Sequence, residues 1–356
     1  MKLSFKNLFS AILLALMVSV AISFVFDCSP VLPFVVLMCL SLIPQRKGVA
    51  FMGLSKEIWK NDIIGTLFRD NQFAQKAVNA DSFVLNGSVV HIPVAGTPSS
   101  VTKNRAVFPA TANQRTDTEV TYPLDTFTSD PRHIKQIDKY ELSYDKRMSV
   151  LGEDIKKIQQ DACNGLLFNW GPLVAQTILT TGALGATENI DATATGNRRA
   201  FDKAQFATVK KMWARGDVLG DMNVLMTPYH YFQFLNSLTD AERTAVGRVV
   251  DMKDGIVGQY LGINIMMRSS VLRYRGADGA YVKVDEGDVA FAANAADRAA
   301  SLFWTSDSVE RALGDVEIFD NPGQALYYGD VFSLLLRMGG RIRRPSGVIA
   351  AVEGNV

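Results

Sequence analysis

The feature that most constrains this fold is a long amphipathic segment between Tyr140 and Asn169. Its apolar residues recur at alternating steps of four and three, which is the spacing of one helix face: Tyr144, Met148, Leu151, Ile155, Ile158 and Ala162. Charged residues lie at several of the other positions, and Trp170-Gly171-Pro172 ends the pattern. At ~1.5 Å per residue this helix is roughly 40 Å long, enough to cross a whole domain. The sequence therefore predicts a long helix that buries one face against another layer.

An extended region precedes this helix, between Phe83 and Asp130. Asn86-Gly87 lies between two short apolar runs, and this dipeptide is the strongest short hairpin signal. A polar stretch at 95–115 then leads into an alternating strand at 119–127. A two-stranded arm of this kind is only marginally stable alone in water. It needs a surface to pack on, either a neighbouring subunit or its own domain.

The other elements mix helices with short strands, which indicates an α+β protein. A short amphipathic helix is predicted at 55–69, and a small-residue stretch at 180–196 predicts a loop between two lobes. The remaining predicted helices are 201–215, 228–235 and 240–250, and the remaining strands are 224–226, 258–265, 289–291, 316–319 and 331–338.

The first 51 residues differ in character from the rest of the chain. Leu8 to Phe26 is a run of membrane-span length without a charge, and a shorter apolar run follows from Val31 to Ile43. Basic residues flank both outer ends, which favours a helical hairpin with both ends cytoplasmic. Three other interpretations stay open: a secretory signal, a removable propeptide, and Met52 as the true start.

Composition and motifs give no sign of a catalytic centre. Lys and Arg number 37 against 36 Asp and Glu, so the chain lacks the basic surplus of a dedicated nucleic-acid binder. Cys28, Cys39 and Cys163 form no CxxC motif, and the three histidines lie far apart in sequence. No phosphate-binding loop or nucleophile elbow is present. We therefore predict no catalytic, cofactor or metal residues, and expect Cys163 to be a small buried hydrophobe.

Two stretches near the C-terminus carry a family resemblance. One runs from Asp330 to Ala351 and contains Arg337-Met-Gly-Gly-Arg341, and the other runs from Gly255 to Ser270 and contains Leu261-Gly-Ile263. In the order arm, long loop, long helix, lobe and returning strands, residues 52 to 351 resemble the tailed-phage major capsid proteins of the HK97-type fold. The apolar start departs from this family, many of whose members begin with a charged, cleavable scaffolding segment.

The resemblance implies a division of the chain. Its parts are an apolar N-terminal segment (1–51), an N-arm (52–82), an E-loop (83–132), a P-domain spine helix and linker (133–200), an A-domain (201–320) and the return strands of the P-domain (321–356).

The resemblance also implies a function. Copies of the chain would assemble as pentamers and hexamers into an icosahedral phage head that encloses double-stranded DNA. The implied partners are other copies, a portal, a scaffold or protease, packaged DNA contacted non-specifically, and the host membrane through residues 8–43. The implied location is the virion, with assembly in the host cytoplasm or at the inner membrane. Two alternatives are an encapsulin-like nanocompartment shell and a membrane-anchored bacterial protein of unknown activity.

Two sets of charged residues are the candidate contacts between subunits. Lys103, Asn104 and Arg105 lie at the expected tip of the E-loop. Asp154, Lys156 and Lys157 lie on the charged face of the predicted spine helix. The alternative for each residue is a charge that is simply solvated at the surface.

Overall fold

A computed structural model describes residues 60–61, 63–68, 71–94, 101–106, 118–135, 146–186, 197–251, 254–285 and 294–354. The predicted apolar hairpin and the predicted strand at 289–291 lie outside these ranges. The described part of the predicted helix at 55–69 is helical, and it buries Ile63 and Leu67. No helix within the described ranges combines the length and apolar character that a membrane span requires.

The regular elements are numbered in chain order. The helices are α1 (Lys146–Trp170), α2 (Lys203–Arg215), α3 (Pro228–Ser237) and α4 (Asp240–Val246). The strands are β1 (Val78–Asn79), β2 (Val84–Leu85), β3 (Val89–Val94), β4 (Thr118–Pro123), β5 (Asp125–Thr128), β6 (Arg132–Lys135), β7 (Thr177–Leu179), β8 (Leu184–Ala186), β9 (Asn197–Arg199), β10 (Met222–Met226), β11 (Ile256–Tyr260), β12 (Ile263–Met267), β13 (Leu272–Arg275), β14 (Val282–Val284), β15 (Asp297–Thr305), β16 (Val309–Gln324), β17 (Gly329–Ile342) and β18 (Val348–Val352).

The long helix is confirmed as α1. Its buried stripe includes Ile158, Ala162, Leu166 and Trp170, which repeat at a step of four. These side chains share one core with the apolar face of β17, and the indole of Trp170 donates a hydrogen bond to the Glu310 carbonyl at 3.0 Å. The helix therefore lies as a spine across a sheet in the order β1-β16-β17-β5, in which β6 also pairs with β17.

The hairpin of β16 and β17 is longer than the sequence predicts. Its ladder runs from Val309 opposite Ile342 to Gln324 opposite Gly329. The strands continue through polar and glycine positions where no hydrophobic alternation predicts them. Two cross-strand contacts support this extension, since Arg341 pairs with Glu310 and Arg337 contacts Asp315. The boundary expected between residues 320 and 321 falls inside β16, where the pairing with β17 is unbroken.

A second sheet of eight strands forms the other lobe, in the order β11-β12-β10-β15-β13-β14, with β18 pairing to both β15 and β7. Its central strand β15 was not predicted, and every residue of it is buried. Phe303 faces a core covered by α2 and α3, whereas Leu302 and Trp304 face the core of the spine helix. The two lobes therefore share this strand.

The region predicted as one strand at 258–265 is a hairpin of β11 and β12. Leu261 and Gly262 form its two-residue turn and both have positive φ, at 50° and 78°. The prediction of a single strand here is therefore wrong. A turn that contains Gly276 and Gly279 joins β13 to β14.

The segment predicted to be the E-loop begins with the expected hairpin, whose turn residues Asn86 and Gly87 have φ of 52° and 64°. Strand β3 pairs with β4 from Val89 opposite Pro123 to Val94 opposite Thr118. The single return strand predicted at 119–127 is two strands, because the chain leaves the arm at the buried Leu124 and continues as β5 in the spine sheet.

Candidate assembly surfaces

The predicted E-loop tip is exposed in the described structure. Lys103, Asn104 and Arg105 are all exposed, and Val101 beside them is 97% exposed. Asn104 has a positive φ of 52°, which marks a tight turn. The Arg105 guanidinium donates to the Thr102 hydroxyl at 3.5 Å, which is a contact within the turn itself. The tip thus presents two cations that form no ion pair with another described residue.

The predicted charges on the spine helix have three different surroundings. The Asp154 carboxylate lies 3.4 Å from Arg132 Nε, which ties β6 to the helix within one chain. Lys157 pairs with Asp161 at 3.0 Å, an i,i+4 contact worth only ~0.3–0.5 kcal/mol at an exposed position. Lys156 is exposed and forms no ion pair with any described residue. Only Lys156 therefore offers an unpaired charge to a partner.

Lys156 lines a polar groove of about 290 Å³ between the spine helix and two other segments. The groove is bounded by side chains from 71, 156–160 and 268–269: Asn71, Lys156, Gln159, Gln160, Arg268 and Ser269. None of these six described residues carries a carboxylate. Sequence reasoning found Lys156 but missed Arg268, because the groove is formed by segments about 90 to 200 residues apart. The isolated Arg268 after the buried strand β12 is the only local signal.

A second surface lies at the end of the β16–β17 hairpin. Leu326, Tyr327 and Tyr328 are 77%, 48% and 83% exposed, although exposing large, mostly apolar side chains to water is unfavourable. The Tyr327 ring lies 5.5 Å from the His133 ring of β6. No prediction from the sequence covers this hairpin tip. The run Leu-Tyr-Tyr beside the turn formers Asn321-Pro322-Gly323 is the signal that could have found it.

Helix α3 also exposes aromatic side chains. Tyr229 and Phe232 are three residues apart on one face and are 53% and 59% exposed, while Phe234 is fully buried against the sheet. Thr227 caps this helix by accepting the His230 backbone N–H, and Pro228 occupies its first turn as predicted. The cap and the buried Phe234 fix the orientation in which the two exposed rings are presented.

The titratable groups inside the protein have structural roles. His230 Nδ1 lies 2.8 Å from the Ser301 hydroxyl and Nε2 lies 3.6 Å from a Glu353 carboxylate oxygen, and both side chains are 1% exposed. The other Glu353 oxygen accepts the Ala299 backbone N–H at 3.1 Å. These contacts join α3, β15 and the residue that follows β18, out of contact with solvent.

Cys163 lies fully buried in the spine core, as the sequence predicted. Burial raises the pKa of its thiol to about 12, so the nucleophilic thiolate is essentially absent at neutral pH. Within the described residues, no group of three or more His, Cys, Asp or Glu side chains could hold a metal ion.

The sequence matches no known family model and no curated protein. Several solved structures share its fold. The capsid of the cyanophage P-SCSP1u matches with a TM-score of 0.52 at 16% identity, over 79% of this chain and 87% of that chain. The capsid of Ralstonia phage GP4 matches with a TM-score of 0.52 at 11% identity, over the same shares of the two chains.

A structure from Mycobacterium phage Che8 matches with a TM-score of 0.50 at 16% identity, over 78% of this chain and 90% of that chain. The chain therefore has the α+β fold of phage capsid subunits, as the resemblance to the HK97-type fold implied.

Proposed function

We propose that this chain is the major capsid protein of a tailed phage, whose copies assemble as pentamers and hexamers into an icosahedral head around double-stranded DNA. The observation that carries this proposal is the shared fold, which extends over about four fifths of the chain and nearly nine tenths of two phage capsid subunits. The chemistry of such a protein is non-covalent association between its own copies. In these terms residues 52–82 are the N-arm, 83–132 the E-loop, and the A-domain that begins at 201 ends before β16, because β16 belongs to the sheet beneath the spine helix.

The surfaces described above support assembly. The E-loop tip, the β16–β17 hairpin tip and the aromatic face of α3 all expose side chains that a second copy could bury. Burying a fully exposed side chain of this size contributes roughly 1.5–3 kcal/mol before the costs of association. A closed shell repeats each contact many times, so contacts that are weak singly become strong together.

The wider partners are part of the same proposal. A portal and a scaffold or protease would act during assembly in the host cytoplasm, and packaged DNA would touch the inner surface without sequence preference. The near balance of 37 basic and 36 acidic residues favours weak, non-specific contact with DNA over tight binding.

The direct test is electron microscopy of the expressed protein. Residues 52–356 and the full chain should each be purified and imaged after negative staining, with light scattering across a range of salt and protein concentration. Capsomers or closed shells support the proposal. A stable monomer under all these conditions contradicts it, and full-length protein held in membranes without particles would favour the membrane-anchored alternative.

The contents of native particles separate a phage head from an encapsulin-like shell. Particles isolated from the producing cells should protect double-stranded DNA from nuclease. Particles that hold a cargo enzyme and no protected DNA would establish the nanocompartment alternative.

The apolar start of the chain is proposed to be lost before the head matures. Many exposed copies of the segment 8–43 on one particle would form apolar patches that soluble particles do not tolerate. The subunit in mature particles should therefore begin between Gln45 and Ser55. Intact-mass measurement of purified particles checks this, and a subunit that begins at Met1 would contradict it.

A further inference from the structure

Three connecting segments lie side by side at one end of the second sheet. Strands β10 and β12 are parallel and begin together, since Met222 lies opposite Ile263. Strand β15 runs in the opposite direction and ends at the same place, since Thr305 also lies opposite Met222. The surface that we call the loop end therefore consists of residues 216–221, 261–262 and 306–308.

Polar contacts hold the loop end in a fixed arrangement. The Asn264 amide donates to Asp221 Oδ1 at 3.1 Å and to Asn223 Oδ1 at 3.2 Å. The Ser306 backbone N–H donates to the Asp221 carbonyl at 3.0 Å, and the Ser306 hydroxyl donates to Asp221 Oδ2 at 3.3 Å. The buried Asn223 donates in turn to the Ser306 hydroxyl at 3.1 Å. Because these segments are already ordered, little conformational entropy is lost when a partner covers them.

Leu261 occupies a strained position in the loop end. Leu261 and Gly262 have φ of 50° and 78°. The turn at Asn86-Gly87 has nearly the same conformation, with φ of 52° and 64°. Turns with two positive φ values favour Asn at the first position, because the Cβ of most other residues comes too close to the following carbonyl oxygen there. The change Leu261→Asn would therefore relieve strain in the free subunit.

The leucines of the loop end gain little from their own subunit. Leu261 is 49% exposed and Leu219 is 82% exposed. Asp217, two residues before Leu219, also has a positive φ, of 49°. Strained backbone is concentrated at functional sites in proteins, and large apolar side chains become favourable only when they are covered. A partner that buries Leu261 would offset both its strain and its exposure.

Charges of both signs lie at this surface. Asp307 is exposed and forms no ion pair with another described residue. The segment after β17 lies beside it, because the backbone N–H groups of Arg343 and Arg344 both donate to the Ser308 carbonyl, at 2.8 and 3.1 Å. Both arginine side chains are exposed, and neither forms an ion pair with a described residue. The surface thus combines apolar, acidic and basic groups in neighbouring positions.

This mixture indicates which partner fits. The exposed carboxylates of Asp217, Asp221 and Asp307 share the surface with the leucines and repel the phosphates of DNA. A second copy of the chain supplies arginines for the acids, acids for the arginines and apolar surface for the leucines. Charge complementarity therefore favours another copy of this chain.

We propose that the loop end is a contact between copies of this chain, in which Leu261 of one copy is buried against the next copy and Asp307 binds the Arg343-Arg344 segment of that copy. The inference rests on the proposed function, because only assembly brings a second copy to this surface. A contact that joins two different patches of one chain can close into rings, which pentamers and hexamers require. The strain at Leu261 then destabilises the free subunit and is offset in the shell.

The test is the variant Leu261→Asn in the full chain. The melting temperature of its unassembled subunit should rise by roughly 2 °C, because Asn tolerates the left-handed conformation. The protein concentration needed to form shells should nevertheless rise at least about fivefold, because the apolar contact is lost. Asn86→Leu is the matched control, since it places leucine in the same kind of turn elsewhere, and it should lower the melting temperature of the subunit.

A charge exchange gives an independent measurement. Asp307→Arg should lower the yield of shells severalfold, because it places three arginines together at the contact. Adding Arg343→Asp and Arg344→Asp to the same chain should restore much of that yield. The melting temperatures of the unassembled subunits should change little in both variants, because all three side chains are exposed.

The outcomes separate this inference from the proposed function. If wild-type chains form no shells, the proposed function fails and takes the inference with it. If shells form but Leu261→Asn assembles at the wild-type concentration, or its subunit melts below the wild type, the inference alone is overturned. The same holds if the charge exchange restores no yield. If Asp307→Arg increases the yield of DNA-filled particles, the surface faces DNA and the inference is likewise overturned.

Discussion

Gly340 of β17 provides the sharpest test of how the spine helix packs on its sheet. A Cβ at this position would lie 2.4 Å from the Glu310 carbonyl oxygen, 2.6 Å from Leu166 Cδ1 and 2.9 Å from Trp170 Nε1. The first of these atoms belongs to the backbone of the adjacent strand and cannot rotate away. Gly340→Ala must therefore push the helix off the sheet or distort the ladder.

The magnitude follows from two effects. Overpacking a filled core costs typically ~1–3 kcal/mol. Displacing Trp170 also breaks the 3.0 Å bond from its indole N–H to Glu310, and a buried donor left unsatisfied costs ~1–3 kcal/mol. Because a single displacement of the helix causes both effects, they are not fully additive. We therefore expect the free energy of unfolding to fall by roughly 2–5 kcal/mol. For a domain of this size that lowers the melting temperature by at least about 4 °C.

The assay is thermal unfolding of the unassembled subunit, followed by circular dichroism at a concentration where light scattering detects no particles. Gly152→Ala is the matched control, because Gly152 lies in the same helix and its added Cβ would meet nothing within 4 Å. That variant should gain roughly 0.5–1 kcal/mol from helix propensity. A Gly340→Ala protein that melts at or above the wild-type temperature would refute the close contact between helix and sheet.

Three further results are expected. Replacing Tyr327 and Tyr328 with Ser should leave the melting temperature of the subunit nearly unchanged, because both rings are exposed. The same change should reduce the yield of shells. A variant that forms shells in wild-type yield would show that the hairpin tip contacts no neighbour. In residues 52–356, Cys163 should resist iodoacetamide at about pH 8 until the protein is unfolded, because burial raises its pKa to about 12; rapid labelling of the native protein would place it outside the core. The pKa of Glu242 falls from 4.5 to about 2 because its carboxylate accepts hydrogen bonds from the Thr239 backbone N–H, from Lys203 and from the Thr239 hydroxyl. The ionised carboxylate therefore stabilises the fold above pH 4.5, and this effect is lost as the pH falls toward 2. Between pH 4.5 and 2, the free energy of unfolding should fall less for Glu242→Gln than for the wild type, and equal falls would contradict the assignment.

The elements that the sequence predicts well are those with a local cause. The period of α1 reflects a surface helix with one buried face, the Asn86-Gly87 turn needs the positive φ that these residues tolerate, and Thr227-Pro228 starts α3 by capping. Each of these signals is contained within one or two turns of chain. Neither the rest of the fold nor a partner is needed to recognise them.

The strand β15 had no such signal. Both of its faces are buried, so the alternation that identifies a half-exposed strand is absent. It also begins with Asp297 and Arg298, which look like surface residues in a sequence. Asp297 is fully buried because Arg273 and Arg275 bind its carboxylate at 3.2 and 2.6 Å, and these partners come from the neighbouring strand. Only the tertiary structure makes such a strand possible.

The candidate contact residues were likewise predictable only where the signal is local. The sequence identified exposed charges on the E-loop tip and the spine helix, and a charged residue is readily found from its position on a predicted element. It did not identify which charges are already paired within the chain. That depends on contacts such as Arg132 with Asp154, which join separate elements and are invisible to periodicity.

Electrostatics also limits how the two candidate contacts can be used together. Lys103 and Arg105 on the E-loop tip are cations, and so is Lys156 in the groove. Like charges about 4 Å apart repel by roughly 1 kcal/mol in bulk water and by more at a dehydrated interface. This repulsion disfavours docking of the tip of one copy on Lys156 of another unless a carboxylate lies between them. Glu153 is exposed one turn before Lys156 and forms no ion pair with a described residue, so it is an acid on this helix that a basic tip can approach.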